Sequence, residues 1–152
     1  MSVVLYLDTS ALVKHCVWEP GSEEVDRILA DAQWAGASLL ARVELEAAFS
    51  KYVRMALLPE SEARSLLVGF RMDWERLTHL HPDPWMTDLA SELVWRYGLR
   101  GYDAVHLASA LRWQDAALHP VTFATFDRKL WRAAADAGLH PFPDDLTPFL
   151  AP

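Results

Sequence analysis

With one cysteine in 152 residues, Cys16, the chain has no internal disulfide, no thiolate zinc site and no Cys-x-x-Cys redox pair. A reducing compartment is implied. No apolar run approaches the roughly 18 residues of a membrane span, and the opening Met-Ser-Val-Val-Leu-Tyr-Leu-Asp has neither the basic n-region nor the long h-region of a signal peptide. The chain is therefore expected to be soluble and cytoplasmic, with no membrane partner. Positive charge is also scarce: 14 Lys and Arg against 21 Asp and Glu give a formal net charge of -7. That is the wrong sign for gripping nucleic-acid phosphates, unless a cation is added from outside. Repeats, low-complexity tracts and linkers rich in Gly or Ser are absent too. What is present, 52% hydrophobic and 23% charged residues, suffices for a buried core, and the length suits a single domain over 1–152.

Along the chain, short β-branched and aliphatic runs alternate with stretches of helical period. Val3 to Leu7 reads as a strand and Thr9 to Cys16 as a helix. A second helix opens at Gly21-Ser22-Glu23-Glu24 and runs through Trp34, with Val25, Ile28, Leu29 and Ala32 at helical spacing. Ala37 to Leu40 is a brief second strand. The stripe Leu45, Ala48, Phe49, Tyr52, Val53 and Ala56 marks a helix from Ala41. Pro59-Glu60-Ser61-Glu62 starts another, running to Trp74. Then follow a strand over Leu77 to Leu80, a helix over Pro84 to Tyr97 stopped by Gly98, and a helix from Tyr102 or Asp103 to Leu111. Val121 to Ala124 reads as a buried strand, Asp127 to Ala137 as a helix and Leu139 to Phe142 as an edge strand. This alternation predicts an α/β three-layer sandwich: a central, mostly parallel sheet of four or five strands flanked by helices.

In a parallel sheet all strands end at one edge, where ligands bind. Asp8 interrupts Val-Leu-Tyr-Leu-Asp-Thr-Ser-Ala-Leu-Val-Lys just after the first strand, and Asp127 follows Val121 to Ala124, so the two converge. Asp103 stands at a helix start and Glu44 in the first turns of the striped helix. Singly, Asp8, Asp103 and Asp127 are also good N-caps, and Glu44 can be merely solvated. Helical period does not choose Glu44 over Glu46, but Glu46 has Arg42 four residues earlier as a partner while Glu44 has no local cation. Two carboxylates about 4 Å apart repel by about 4 kcal/mol at an effective dielectric near 20, which favours a shared proton or a bound cation. Oxygen-only donors select a hard ion, Mg²⁺ or Mn²⁺.

The segments L-Y-L-D-T-S-A-L-V-K, A-R-V-E-L, L-R-G-Y-D-A-V-H-L-A-S-A-L and T-F-A-T-F-D-R-K-L resemble, in order and spacing, the motifs of PIN-domain ribonucleases, in particular the VapC toxins of toxin–antitoxin pairs. The resemblance spans residue 4 to about 139. It implies an acidic cluster of Asp8, Glu44, Asp103 and Asp127, with Asp8 and Asp103 as principal metal ligands and Glu44 and Asp127 binding directly or through water. Metal contact by the last acid varies across the family, so Thr125 can take part of the role of Asp127. It further implies Mg²⁺- or Mn²⁺-dependent endonucleolytic RNA cleavage, homodimerisation and a VapB-type antitoxin partner.

Thr9 or Ser10 can donate to Asp8 or to a phosphate oxygen, or serve only as caps. His106, one turn after Asp103, is either an outer support of the metal or a packing histidine. Lys14, Arg42, Arg100, Arg128 and Lys129 lie near the acidic motifs as candidate phosphate contacts. Trp74, Trp95, Trp113 and Trp131 sit within helices and are expected in the core or an interface, whereas Trp18 lies in a loop. Phosphoryl transfer through Asp8 is disfavoured: a haloacid-dehalogenase-type site needs Asp where Ser10 stands, and a receiver needs Lys after a late strand, where Thr125-Phe126-Asp127 stands. The remaining alternative is a PIN-like protein- or RNA-binding module without catalysis.

Overall fold

Val4 and Tyr6 pack into one apolar cluster and Leu5 and Leu7 into another, so the first strand is buried on both faces. A strand with that environment reads as an unbroken hydrophobic run. In the computed structural model, which describes residues 2–151, this strand, β1 (Val3–Leu7), is the centre of a five-stranded sheet ordered β3-β2-β1-β4-β5. The other strands are β2 (Ala32–Ser38), β3 (Thr78–Leu80), β4 (Val121–Ala124) and β5 (His140–Phe142). Every pairing is parallel. Helices α1 (Thr9–Cys16), α2 (Ser22–Asp31), α3 (Ala41–Arg54) and α4 (Glu60–Trp74) cover one face. Helices α5 (Pro84–Tyr97), α6 (Gly101–Ala117) and α7 (Arg128–Asp136) cover the other. This is the expected three-layer sandwich. Among the described residues, no helix is long and apolar enough to cross a membrane.

Three elements depart most from the sequence reading in their boundaries. The second helix ends at Asp31, and Trp34 lies in β2, which starts at Ala32 instead of Ala37 and stops at Ser38. Pairing decides this: Val3 opposes Ala32 and Val4 opposes Trp34, with an irregularity that takes up Gln33, and β1 cannot be flanked without it. Gly36 fits the strand because a Cβ there would stand 2.9 Å from the Thr78 carbonyl oxygen and 3.0 Å from the Trp113 ring. Helix α6 begins at Gly101 and runs six residues past Leu111. Nothing in Arg112-Trp113-Gln114-Asp115 stops a helix, and Pro120, which disfavours helical backbone at His119, is the first residue that does. Gln114 then joins the helix to β4, accepting from the Val121 N–H (2.9 Å).

Trp74 is buried and the Trp131 indole donates to the Pro143 carbonyl (2.7 Å), but Trp95 is 88% exposed and does not belong to the core. His79 stacks on Trp74 and bonds its carbonyl, a packing role. Burial pushes the Cys16 thiol up to about 12, which makes it an inert packing group at neutral pH.

Candidate functional site

Parallel pairing sets the ends of β1 and β4 side by side: Leu7 opposes Ala124, and the Asp8 N–H donates to the Ala124 carbonyl (3.1 Å). The strand order changes direction here, with β2 and β3 on one side of β1 and β4 and β5 on the other. A crevice opens at such a switch point. Asp8 and Thr125 face each other across it.

Asp8 caps α1, its Oδ1 accepting from the Ala11 N–H (2.9 Å) and the Ser10 hydroxyl (2.6 Å), while its Oδ2 accepts from the Thr125 hydroxyl (2.5 Å). Ser10 Oγ in turn accepts from the Phe126 N–H (2.9 Å), and Thr125 Oγ1 from the Asp127 N–H (3.2 Å). The loop after β4 is thereby stitched to the start of α1. Only 4% of Asp8 is exposed. Burial, the strongest influence, pushes its carboxyl above the usual range against the pull of His106, Ser10, Thr125 and the Ala11 amide.

Glu44 belongs to a second group of contacts. Its Oε1 accepts from the Thr9 hydroxyl (3.0 Å) and lies 2.7 Å from His106 Nε2. His106 Nδ1 is 2.7 Å from the Tyr6 hydroxyl, whose oxygen already accepts from the Ser38 N–H (3.2 Å). The Tyr6 proton is therefore directed to Nδ1, which leaves Nε2 as the ring nitrogen that donates to Glu44. Burial works to raise the Glu44 carboxyl and is the largest single influence, but His106, Thr9 and Arg100 outweigh it and hold Glu44 low. Glu46 pairs with Arg71 (2.8 Å) and not with Arg42 as expected, because α4 packs along α3 and brings Arg71 to it. Tyr6 was invisible as a functional residue, since its partner lies 100 positions away.

Asp103 is the third residue of α6 and caps nothing; the N-cap position is Arg100. Arg100 Nε is 3.2 Å from Asp103 Oδ2, and its Nη2 is 3.7 Å from Asp127 Oδ2. The charge and hydrogen bond of Asp103, with weaker help from Asp127 and Glu44, push the guanidinium's pKa up. Asp127 Oδ1 caps α7 through the Leu130 N–H (2.9 Å).

The structure thus forms two hydrogen-bonded groups, one of Asp8, Ser10, Thr125 and Asp127 and one of Tyr6, Thr9, Glu44 and His106, joined at the Asp8–Thr9 peptide. Asp103 reaches them only through Arg100. A cavity of about 690 Å³ opens beside Asp103, lined by Glu44, Arg100 and Tyr102 and walled by Ala90 and Val94. A groove of about 740 Å³ runs from Asp127 past Arg128, Lys129 and Arg132.

Four carboxylates from four elements are chemically suited to a hard divalent ion. As they stand, no three His, Cys, Asp or Glu side chains among the described residues are placed to hold one ion. Each is engaged internally instead: Asp8 spends both oxygens on donors, Glu44 Oε1 is shared by Thr9 and His106, and Asp103 pairs with Arg100.

Residues 5–136 match the family described as PIN domain. Ribonuclease VapC45 of Mycobacterium tuberculosis (strain CDC 1551 / Oshkosh) is 35% identical over 150 residues, covering 95% of this chain and 99% of the relative. Among solved structures, the crystal structure of PAE2754 from Pyrobaculum aerophilum superposes with a TM-score of 0.65 at 19% identity, covering 96% of this chain and 88% of that one. A toxin-antitoxin complex from Klebsiella pneumoniae gives 0.61 at 19% identity, with 84% and 89% covered. At that identity the two structures speak for the fold alone.

Proposed function

The chain belongs to the PIN-domain family, among its VapC-type members, and from that premise we propose that it is a Mg²⁺- or Mn²⁺-dependent endoribonuclease and the toxin of a toxin–antitoxin pair. The observation that carries this reading is Asp8: a nearly dry carboxylate at the end of the central strand, with Glu44 bonded to the neighbouring Thr9 hydroxyl and the Asp127 N–H to the Thr125 hydroxyl that serves Asp8. Asp8 and Asp103 would be the principal ligands, with Glu44 and Asp127 binding directly or through water. A divalent ion supplies an acidified water and charge compensation at the scissile phosphate.

The remaining work falls to the chain itself. Thr125 and Ser10 orient Asp8, while Thr9 and the Nε2–H of His106 fix Glu44, the kind of outer support that keeps ligands aimed. The groove that holds Arg128, Lys129 and Arg132, with Asp136 also in its wall, offers the RNA backbone three cations on a path that ends at Asp127. The Klebsiella neighbour was solved as a toxin-antitoxin complex, and we extend that to a cognate VapB-type antitoxin here. Exposed Val68 and Met72 on α4 and Trp95 on α5 are available for contacts with an antitoxin or a second copy in a homodimer.

The test is cleavage of a panel of structured and single-stranded RNAs with Mn²⁺ or with EDTA, by wild type, Asp8→Asn and Asp103→Asn. Cleavage is expected only with metal, and each variant should fall by about 10²-fold or more, since even outer supports of a metal are worth 10- to 100-fold. Metal-independent cleavage, or wild-type rates in both variants, refutes the metal-dependent assignment, whereas no cleavage by wild type with or without Mn²⁺ favours a binding module without catalysis.

A further inference from the structure

We propose that Arg100 is the resident counter-ion of the acidic site: its guanidinium spans Asp103 and Asp127 in the metal-free chain and must release Asp103 before the site can close on a divalent ion. The inference rests on the metal-dependent reading above and deepens it.

Four observations converge. Among the described ion pairs of the four acids, Arg100 is the one Lys or Arg partner, touching both Asp103 and Asp127. Those two acids come from different elements, and the fork of one guanidinium is what spans them. Among the described residues no set of three potential ligands is drawn together, and Asp103, the acid with no hydrogen bond to either group, is the one that Arg100 holds.

Capping does not explain the residue. Arg100 occupies the N-cap position of a 17-residue helix without a side-chain capping bond. A cation at the positive end of the helix dipole is unfavourable by itself, so the carboxylates are what keep it there.

The contact is also built to exchange. The Arg100 side chain is 81% exposed, and exposed pairs of this kind are weak. Its root is fixed, because Leu99 is buried and the Gly98 carbonyl accepts from Lys129 Nζ (3.0 Å). Release therefore needs rotation of one side chain and no movement of the loop. A divalent ion, with twice the charge and no exposed stem to order, wins the exchange while Arg100 remains as a tax on its affinity.

Calorimetric titration of Mn²⁺ alone into the full chain, at low salt and without RNA, tests this. Arg100→Gln should bind Mn²⁺ roughly 3- to 10-fold tighter than wild type, the range expected from losing two weak competing pairs. Arg100→Lys keeps the charge but cannot span both carboxylates, so it should fall between the two. The differences should shrink in about 1 M salt, where exposed charges are screened within about 3 Å. Equal or weaker Mn²⁺ binding by Arg100→Gln overturns the inference and leaves the metal reading standing. Should that variant fail to fold, Arg100→Lys decides alone, and an affinity no tighter than wild type overturns it. Failure of all three chains to bind Mn²⁺ overturns both readings.

Discussion

Replacing Thr125 by Val keeps the shape of a fully buried side chain and removes one hydroxyl, which donates to Asp8 Oδ2 and accepts from the Asp127 N–H. The first bond goes to a buried carboxylate, the kind worth about 1.5–3 kcal/mol, and the second is an ordinary bond of about 0.5–1.5 kcal/mol. The cost at neutral pH is therefore about 2–4 kcal/mol, or about 4–16 °C in Tm for a chain of this length. Its pH dependence identifies the cause. Because burial raises the folded-state pKa of Asp8, this group's stabilisation is complete below its unfolded pKa of about 3.9 and is lost as pH rises through the folded value. Thr125 holds that folded value down by serving the charged form, so its removal raises it further. The penalty of Thr125→Val should thus be smallest at acid pH, below the folded-state value where Asp8 is protonated in both proteins, and grow to a plateau as pH rises above it. Urea and thermal unfolding in EDTA between pH 4 and 8 measure it, with Asp8→Asn as the second arm of a double-mutant cycle. A penalty below about 0.5 kcal/mol at pH 7, or one that does not change with pH, refutes the argument that Thr125 serves the Asp8 carboxylate.

His106→Leu strips the Nε2–H from Glu44 and the acceptor from the buried Tyr6 hydroxyl, so it should cost about 2–5 kcal/mol at pH 7 in unfolding experiments. Glu44 is held low in the folded chain, so its stabilisation is present above its unfolded pKa of about 4.3 and fades as pH falls through the folded value; a variant penalty that fails to shrink toward acid pH contradicts the Glu44 assignment. Gly36→Ala forces a methyl to 2.9 Å from the Thr78 carbonyl and should cost about 1–3 kcal/mol by urea unfolding, whereas a neutral effect means that β2 and β3 can part without cost.

How far the sequence could be read depended on whether the deciding contact was local. Helices α3 and α4 have acidic first turns and α5 a Pro start and a Gly stop, and their limits follow closely from those local signals. The strand β1 was legible because burial on both faces leaves an unbroken apolar run. The start of β2 was not: Ala32 continues the helical spacing of α2, and only the partner strand β1, some thirty residues earlier, converts it to strand. The candidate site divides in the same way. Asp8 and Asp127 could be brought together from topology alone, since both follow strands of one parallel sheet. The Tyr6–His106–Glu44 chain could not, because no rule of spacing links positions 6, 44 and 106. Trp95 was placed in the core or an interface from its helical position, and its exposure on the outer side of α5 removes only the first of these.

Capping and ligation looked like rival explanations of the same carboxylates, yet the geometry leaves room for both. Asp8 and Asp127 each commit Oδ1 to the amides at a helix start and turn Oδ2 toward the crevice, where it meets Thr125 in one case and Arg100 in the other. A carboxylate fixed at one oxygen loses little further freedom when the other binds, which is the advantage of a preorganised ligand. The choice of variant follows from this. Asn caps a helix about as well as Asp, so Asp8→Asn removes the charge and keeps α1 anchored, whereas Asp8→Ala would also remove a cap worth about 0.5–2 kcal/mol. Asp103 caps nothing, so the same two substitutions there should have nearly equal effects on stability. A loss of activity shared by Asp8→Asn and Asp103→Asn therefore does not come from unravelled helix ends, which leaves the charges and, at Asp8, the acceptor oxygen that Thr125 uses.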